Sequence, residues 1–251
     1  MPTATLRFYA DLNDFLPHPY RQSVITHTFD DRVSIKDMIE SLGVPHTEVD
    51  LLLVNGDSVD FDYIVQDGDR ISVYPPFTAL DVGGLTQVRP VPPPEPRFVL
   101  DVHLGKLGTY LRLLGFDALS PEDHDDANLA RISAEQGRIL LTRDRGLLKR
   151  SRVTYGYCLR STNSQEQLIE VLRRYNLAEA IRPFTRCPRC NGRLQVVSKA
   201  EIAHELEAGT RANYDQFHRC ADCGQVYWQG AHFARLRALV QHARASGRLA
   251  R

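Results

Sequence analysis

Hydrophobic positions change period along the chain, and each change marks an element. Thr3 to Ala10 (TATLRFYA) alternates, with Leu6 and Phe8 on one side, as a half-buried strand does. Gln22 to Phe29 is a second strand-like run, with Ile25 and Phe29 on a common face. The period then turns helical. Ser34 stands as an N-cap before IKDMIESLG, whose Ile35, Met38, Ile39 and Leu42 make one stripe that Gly43 ends. Leu51 to Val54 reads as a short buried strand, Asn55-Gly56 as a hairpin turn, and Asp67-Gly68-Asp69 leads into a strand over Arg70 to Tyr74.

That order, β, β, α, β, turn, β, is the order of a β-grasp. From residue 97 the rhythm differs. Apolar runs at Arg97–Asp101, Phe116–Leu119, Arg138–Asp144 and Val153–Leu159 alternate with helical stretches. The first such helix carries Leu104, Leu107, Leu111 and Leu114 and stops at Gly115, the second is ANLARISAEQG, and SQEQLIEVLRRYNL follows with Leu168, Ile169, Leu172 and Leu177. Strands alternating with helices predict an α/β fold with a parallel, doubly wound sheet. A last helix is expected over Phe233 to Ala243.

Composition adds little until it is divided. The 251 residues hold 31 basic and 31 acidic side chains and are 43% hydrophobic, which excludes wholesale disorder. No apolar run approaches the ~18 residues of a membrane span, and the N-terminus lacks the pattern of a secretory signal, so a cytoplasmic protein is expected. Residues 1–85 carry 5 basic against 14 acidic side chains, a net of −9, and residues 97–251 carry the compensating +9. Between them, five prolines from Pro90 to Pro96 read as a stiff linker. Four parts are expected: an acidic module (1–85), the linker (86–96), the α/β domain (97–182) and a cysteine-bearing segment with its terminal helix (183–251). The segregation also suggests that the acidic module competes with a polyanion for the basic body.

In parallel sheets function gathers beyond the carboxyl ends of the strands. Asp101 and Asp144 close two of the strands, and Asp125 and Asp126 open the helix between them. Converging carboxylates repel one another unless they share protons or hold divalent cations, and oxygen-only ligands suit Mg²⁺ or Mn²⁺. Such a metal supports phosphodiester displacement. Asp is equally a favoured N-cap, and Asp101, Asp126 and Asp144 each precede a helix. Lys106, Arg112, Arg143 and Arg145 either position a phosphate backbone or are solvated helix faces.

Cys187-Pro-Arg-Cys190 and Cys220-Ala-Asp-Cys223 are two Cys-x-x-Cys pairs 29 residues apart, each followed by glycine, at Gly192 and Gly224. Four thiolates so arranged predict a closed structural zinc ribbon, with an iron–sulfur cluster as the alternative. Arg189 and other arginines surround the pairs, interleaved with Tyr214, Phe217, Tyr227 and Trp228. Cations track phosphates and aromatic faces stack on bases, so an RNA-binding surface is expected, unless Tyr227 and Trp228 pack beneath the metal. Cys158 reads as a buried apolar residue.

Two resemblances extend this reading. VNGDSVDFDY, DGDRISVYPPF and Gly83-Gly84 resemble the ubiquitin-like sulfur carriers of thiamine and molybdopterin synthesis. Those carriers act through a free terminal Gly-Gly, whereas 167 residues follow Gly84 here, so the resemblance implies the fold and a protein-docking role. FVLDVHLGKLGTYLRLLGFD and DDANLARISAEQGRILLTRD, continuing to about residue 235, resemble the Mut-seven C-terminal ribonuclease family. That resemblance implies a PIN-like nuclease domain with catalytic acids at Asp101, Asp126 and Asp144, Asp125 being the rival to Asp126. The expected function is a metal-dependent ribonuclease. Its alternatives are a non-catalytic RNA- or ribosome-binding adaptor and a partner in sulfur transfer.

Overall fold

The computed structural model describes residues 1–30, 32–77, 84–88, 95–121, 125–231 and 233–248. Gly83 and the prolines from Pro90 to Pro94 lie outside the described residues, and with them most of the expected linker. In chain order the strands and helices begin with β1 (Thr3–Phe8), β2 (Val24–Thr28), α1 (Ile35–Ser41), β3 (Leu51–Val54), β4 (Asp57–Ser58) and β5 (Arg70–Tyr74). Next come β6 (Phe98–Leu100), α2 (Gly105–Leu113), β7 (Ala118–Leu119), α3 (Asp126–Gln136), β8 (Ile139–Thr142), α4 (Arg145–Leu148), β9 (Gly156–Cys158) and α5 (Ser164–Arg174). The chain ends with β10 (Leu194–Val197), α6 (Lys199–Ile202), α7 (Ala208–Asn213), β11 (Phe217–Cys220), β12 (Val226–Trp228) and α8 (Phe233–Ser246). Two compact units result. One joins Met1–Glu95 to Asp125–Cys158, and the other joins Pro96–His124 to Leu159–Arg251.

In the first unit the N-terminal sheet has the order β2-β1-β5-β3-β4, with β1 and β5 parallel at its centre. Alternation puts Leu6, Phe8, Ile71 and Val73 on one face, buried with Ile35, Met38 and Ile39 of α1. Ser34 Oγ accepts from Asp37 N at 3.1 Å, so the expected cap holds the helix start. Asn55 and Gly56 both have positive φ (54° and 104°), as a two-residue hairpin turn requires. Buried Asp69 fixes the facing turn by accepting from Asn55 Nδ2, Tyr63 OH and Gln66 N. The rest of this unit is α3, β8, α4 and β9, with β8 and β9 parallel and Leu140 opposite Gly156. All four residues of β8 are buried, which explains its unbroken apolar run.

In the second unit β6 pairs in parallel with β7, Phe98 lying opposite Ala118. Phe98 is edge-on to Phe116 and Tyr175, and Leu104, Leu107 and Leu111 complete the apolar cluster. The strand expected over Phe116–Leu119 shortens to Ala118–Leu119, because Phe116 turns inward instead. β10, β11 and β12 form an antiparallel ribbon, and the spacer between β10 and β11 holds two short helices, α6 and α7. Among the described residues no helix is long and apolar enough to cross a membrane.

Candidate functional site

The acids and the basic residues nearby. Asp101 follows β6 and begins a single 3₁₀ turn, Val102–Leu104, that leads into α2. Its side chain makes no cap hydrogen bond to that turn. Asp125 and Asp126 divide two tasks. Asp125 is the N-cap of α3, its Oδ1 accepting from Ala127 N at 2.6 Å and from Asn128 N at 3.1 Å. Asp126 is the first helical residue, and its carboxylate faces Arg150 at 3.3 Å, with both side chains 45% exposed. Asp144 ends β8 and caps α4 through Oδ1, which accepts from Gly146 N at 2.7 Å. The cap reading therefore holds for Asp144 and fails for Asp101 and Asp126, the cap of α3 being Asp125 instead.

Among the cations assigned to RNA, Lys106 and Arg143 are exposed, and Lys106 Nζ lies 5.9 Å from the centre of the Tyr110 ring. Arg145 donates from NH1 to Phe15 O at 3.0 Å and covers the Phe15 ring. Arg112 departs from expectation. It is buried, and its guanidinium donates to Ala118 O (2.7 Å), Pro188 O and Arg189 O (3.1 Å each) and Ser120 Oγ (2.9 Å). Burial pulls its pKa below the usual arginine value, and the neighbouring Cys187, Cys190 and Asp117 oppose that pull. A guanidinium engaged in four hydrogen bonds inside the protein is a structural strut, and the phosphate-binding expectation for Arg112 is corrected accordingly.

The cysteine quartet. Cys187, Cys190, Cys220 and Cys223 bring their sulfurs within 4.8 Å of one another, and among the described residues this is the group of three or more His, Cys, Asp or Glu that does so. Cys187 Sγ is 3.7 Å from Cys223 Sγ, and Cys190 Sγ is 3.4 Å from Cys220 Sγ. A disulfide needs about 2.05 Å, so these are thiols. A tetrahedron of Zn–S bonds of about 2.3 Å has edges of about 3.8 Å, close to the separations seen, and four soft donors fit a closed zinc centre.

Each pair sits on a knuckle closed by backbone hydrogen bonds, Asn191 N to Cys187 O and Gly224 N to Cys220 O. The glycines differ in purpose. Gly224 occupies the left-handed region (φ 73°), whereas in the first knuckle that residue is Asn191, also at φ 73°. Gly192 is needed for space, since a Cβ there would stand 2.8 Å from Cys220 Sγ.

Burial opposes ionisation of Cys187, but hydrogen bonds from Tyr227 OH and the backbone of Cys190 and Arg189 prevail, bringing the thiol down to about 7. Burial, seconded by the neighbouring thiols, pushes Cys190 up to about 12 despite the Gly192 N–H. Tyr227 packs against the cysteines, the alternative its sequence position left open, with its hydroxyl 3.1 Å from Cys187 Sγ; the hydrogen bond itself had no signal in the sequence. Trp228 leans on Tyr214 and Phe217 but keeps 40% of its surface exposed, and Arg189 is exposed beside the first knuckle.

The ribbon is locked to α2 and β7. Besides the Arg112 strut, Asn191 donates to Asp117 Oδ1 at 2.8 Å and accepts from Ala118 N at 3.0 Å. Arg186 pairs with Asp117 at 3.3 Å.

Comparison with known proteins completes the picture. The model of the Mut7-C ubiquitin domain matches residues 1–81. Among solved structures, the crystal structure of SAMP1 from Haloferax volcanii is similar at 16% identity, covering 31% of this chain and 99% of that chain with a TM-score of 0.25. No curated protein matches. The model of the Mut7-C RNAse domain matches residues 96–240, more than half of the chain. The chain belongs to the Mut7-C RNAse domain family, with the family's ubiquitin-like module at its N-terminus.

Proposed function

We propose that this protein is a ribonuclease that uses Mg²⁺ or Mn²⁺ to hydrolyse RNA phosphodiester bonds. The match of residues 96–240 to the RNAse domain carries the reading. Asp126 and Asp144 would hold the metal, joined by Asp101 on the strength of the resemblance; their hard oxygen donors suit such an ion. Bound there, it would supply an activated water and charge stabilisation at the phosphate. Arg150 balances the Asp126 carboxylate at 3.3 Å, and a cation would take over that neutralisation. Asp144 keeps Oδ1 on its helix cap and offers Oδ2. Lys106, Arg143, Arg189 and Trp228 are exposed and suited to RNA backbone and bases.

The cysteine quartet holds zinc in a structural role, with four protein ligands leaving no position for substrate. Four reduced thiols fit a cytoplasmic setting. Purified protein should cleave single-stranded RNA with Mn²⁺, and Asp126→Asn should abolish cleavage. An inactive wild type, or an equally active variant, refutes the reading. A second reading, the non-catalytic RNA- or ribosome-binding adaptor, draws on the use of Asp144 as a cap. RNA binding that survives EDTA, without cleavage over hours, would favour it.

A further inference from the structure

His46, Thr47 and Glu48 are three polar residues in a row, and all are buried, Glu48 completely. They form a single 3₁₀ turn between α1 and β3. Burying such groups is costly unless each finds a partner. His46 Nδ1 meets the Glu40 carboxylate of its own module at 2.7 Å, but His46 and Glu48 each find a further partner more than 100 residues away. His46 Nε2 is 2.8 Å from Val153 O, and Glu48 Oε1 accepts from Cys158 N at 2.6 Å. Gly156 lets the turn approach, since a Cβ there would stand 3.3 Å from Thr47 and 2.5 Å from Leu148 Cδ2. The N-terminal module therefore carries a socket shaped for β9.

A second set of contacts reaches α4. Arg145 donates to Phe15 O at 3.0 Å with its guanidinium 4.9 Å from the centre of the Phe15 ring, and Lys149 Nζ donates to Glu40 O at 2.5 Å. Arg145 is the first residue of α4 and Lys149 its C-cap, and Asp144 is the N-cap of that helix. The short helix is thus tied to the β-grasp on both sides, and the strand after it is tied by the buried turn. Asp144 stands at the head of this clamped segment.

We propose that the β-grasp module is a clamp on the Asp144 loop, with His46, Glu48, Arg145 and Lys149 as positioning residues for cleavage. The clamp itself is independent of the ribonuclease reading; only its effect on cleavage rests on that reading. A loop held by four side chains of ordered geometry keeps a carboxylate in place where a misplacement of about 1 Å can cost about 100-fold in rate.

The test uses the full chain with Lys149→Met, which keeps the apolar stem and loses the donor, Lys149→Arg, which restores it, and Glu48→Ala. Amide hydrogen exchange at Gly146 and Leu147 reports the Asp144 cap directly. In Lys149→Met that exchange should rise about tenfold, the worth of one such hydrogen bond. Cleavage of single-stranded RNA with Mn²⁺ should lose about tenfold in kcat at constant KM, with both readouts restored in Lys149→Arg. Glu48→Ala, if it folds, should show the larger effect. Unchanged exchange in folded Lys149→Met overturns the clamp. A raised KM at constant kcat overturns it too, because Lys149 would then be an RNA contact. If exchange responds while wild type cleaves nothing, the clamp stands and the ribonuclease reading falls.

Discussion

Arg112→Met tests whether α2 and the zinc ribbon are one mechanical piece. The side chain is buried at 6% exposure, and it ties Ala118 O, Ser120 Oγ and the carbonyls of Pro188 and Arg189 to a single guanidinium. Methionine fills much of the volume but donates nothing. The Ala118 carbonyl bond is buried and would lose its charged donor, at a cost of about 1–3 kcal/mol. The two knuckle carbonyls are partly buried and can be partly rehydrated, adding roughly another 1 kcal/mol together. Relief of the buried charge offsets some of this, so the expected loss is about 2–3 kcal/mol, or roughly 4–12 °C in the melting midpoint.

The same substitution frees the loop between Cys187 and Cys190, so zinc should pass to a competing chelator faster than from wild type. Arg112→Lys should rescue only in part, because one ammonium cannot span carbonyls presented to a planar fork. The assays are thermal unfolding and the rate of zinc transfer to a chromogenic chelator. A variant with unchanged midpoint and unchanged transfer rate, but weaker RNA binding, would return Arg112 to the phosphate-binding role and refute the strut.

Asp125→Ala should cost about 1 kcal/mol through loss of the α3 cap while leaving cleavage within threefold, whereas Asp126→Asn should abolish cleavage with little change in stability. Denaturant unfolding and an RNA-cleavage assay separate the two. Asp144→Asn retains an acceptor for Gly146 N, so loss of cleavage without loss of stability would isolate the charge from the cap. For the metal-free cysteines, the metal must displace a proton from Cys190, at about 12, throughout the neutral range, and from Cys187, at about 7, increasingly as pH falls. Zinc affinity measured by chelator competition should therefore fall as pH is lowered, more steeply below pH 7. Gly115→Ala should give little soluble protein, because φ is +96° and the new Cβ would stand 2.1 Å from Arg182 O.

The elements most legible in the sequence are those whose signal is local. Alternation in TATLRF, the Ser34 cap and the Asn55-Gly56 turn are properties of neighbouring residues, and all three appear where the pattern put them. The cysteine quartet was legible for a chemical reason, since two Cys-x-x-Cys pairs have few other uses. The division between Asp125 and Asp126 was not, because one residue of register in a helix start depends on which carboxylate turns back to cap. Arg112 was misread because α2 is covered on more than its leucine stripe, with Leu113 buried as well. His46-Thr47-Glu48 has neither period nor motif, and it looks like a polar surface turn. Only long-range hydrogen bonds to Val153 and Cys158 turn it into an interior one.

The division of charge takes on a different meaning once these bonds are known. An acidic module beside a basic body suggests carboxylates laid over arginines in competition with RNA. Within the first unit, however, the two basic residues at the ends of α4 that engage the module, Arg145 and Lys149, give their hydrogen bonds to backbone carbonyls of Phe15 and Glu40. The Glu40 carboxylate faces His46 of its own module, 2.7 Å away, Asp69 is used in its own turn, and Glu48 meets a neutral backbone N–H of Cys158. Contacts of this kind are short-ranged and largely insensitive to salt, whereas an exposed carboxylate lid is screened over about 8 Å at physiological ionic strength. The two arrangements separate on ionic strength. A lid predicts that moderate salt relieves inhibition before it weakens RNA binding. A clamp predicts that salt acts on RNA affinity alone and leaves the exchange of Gly146 and Leu147 unchanged.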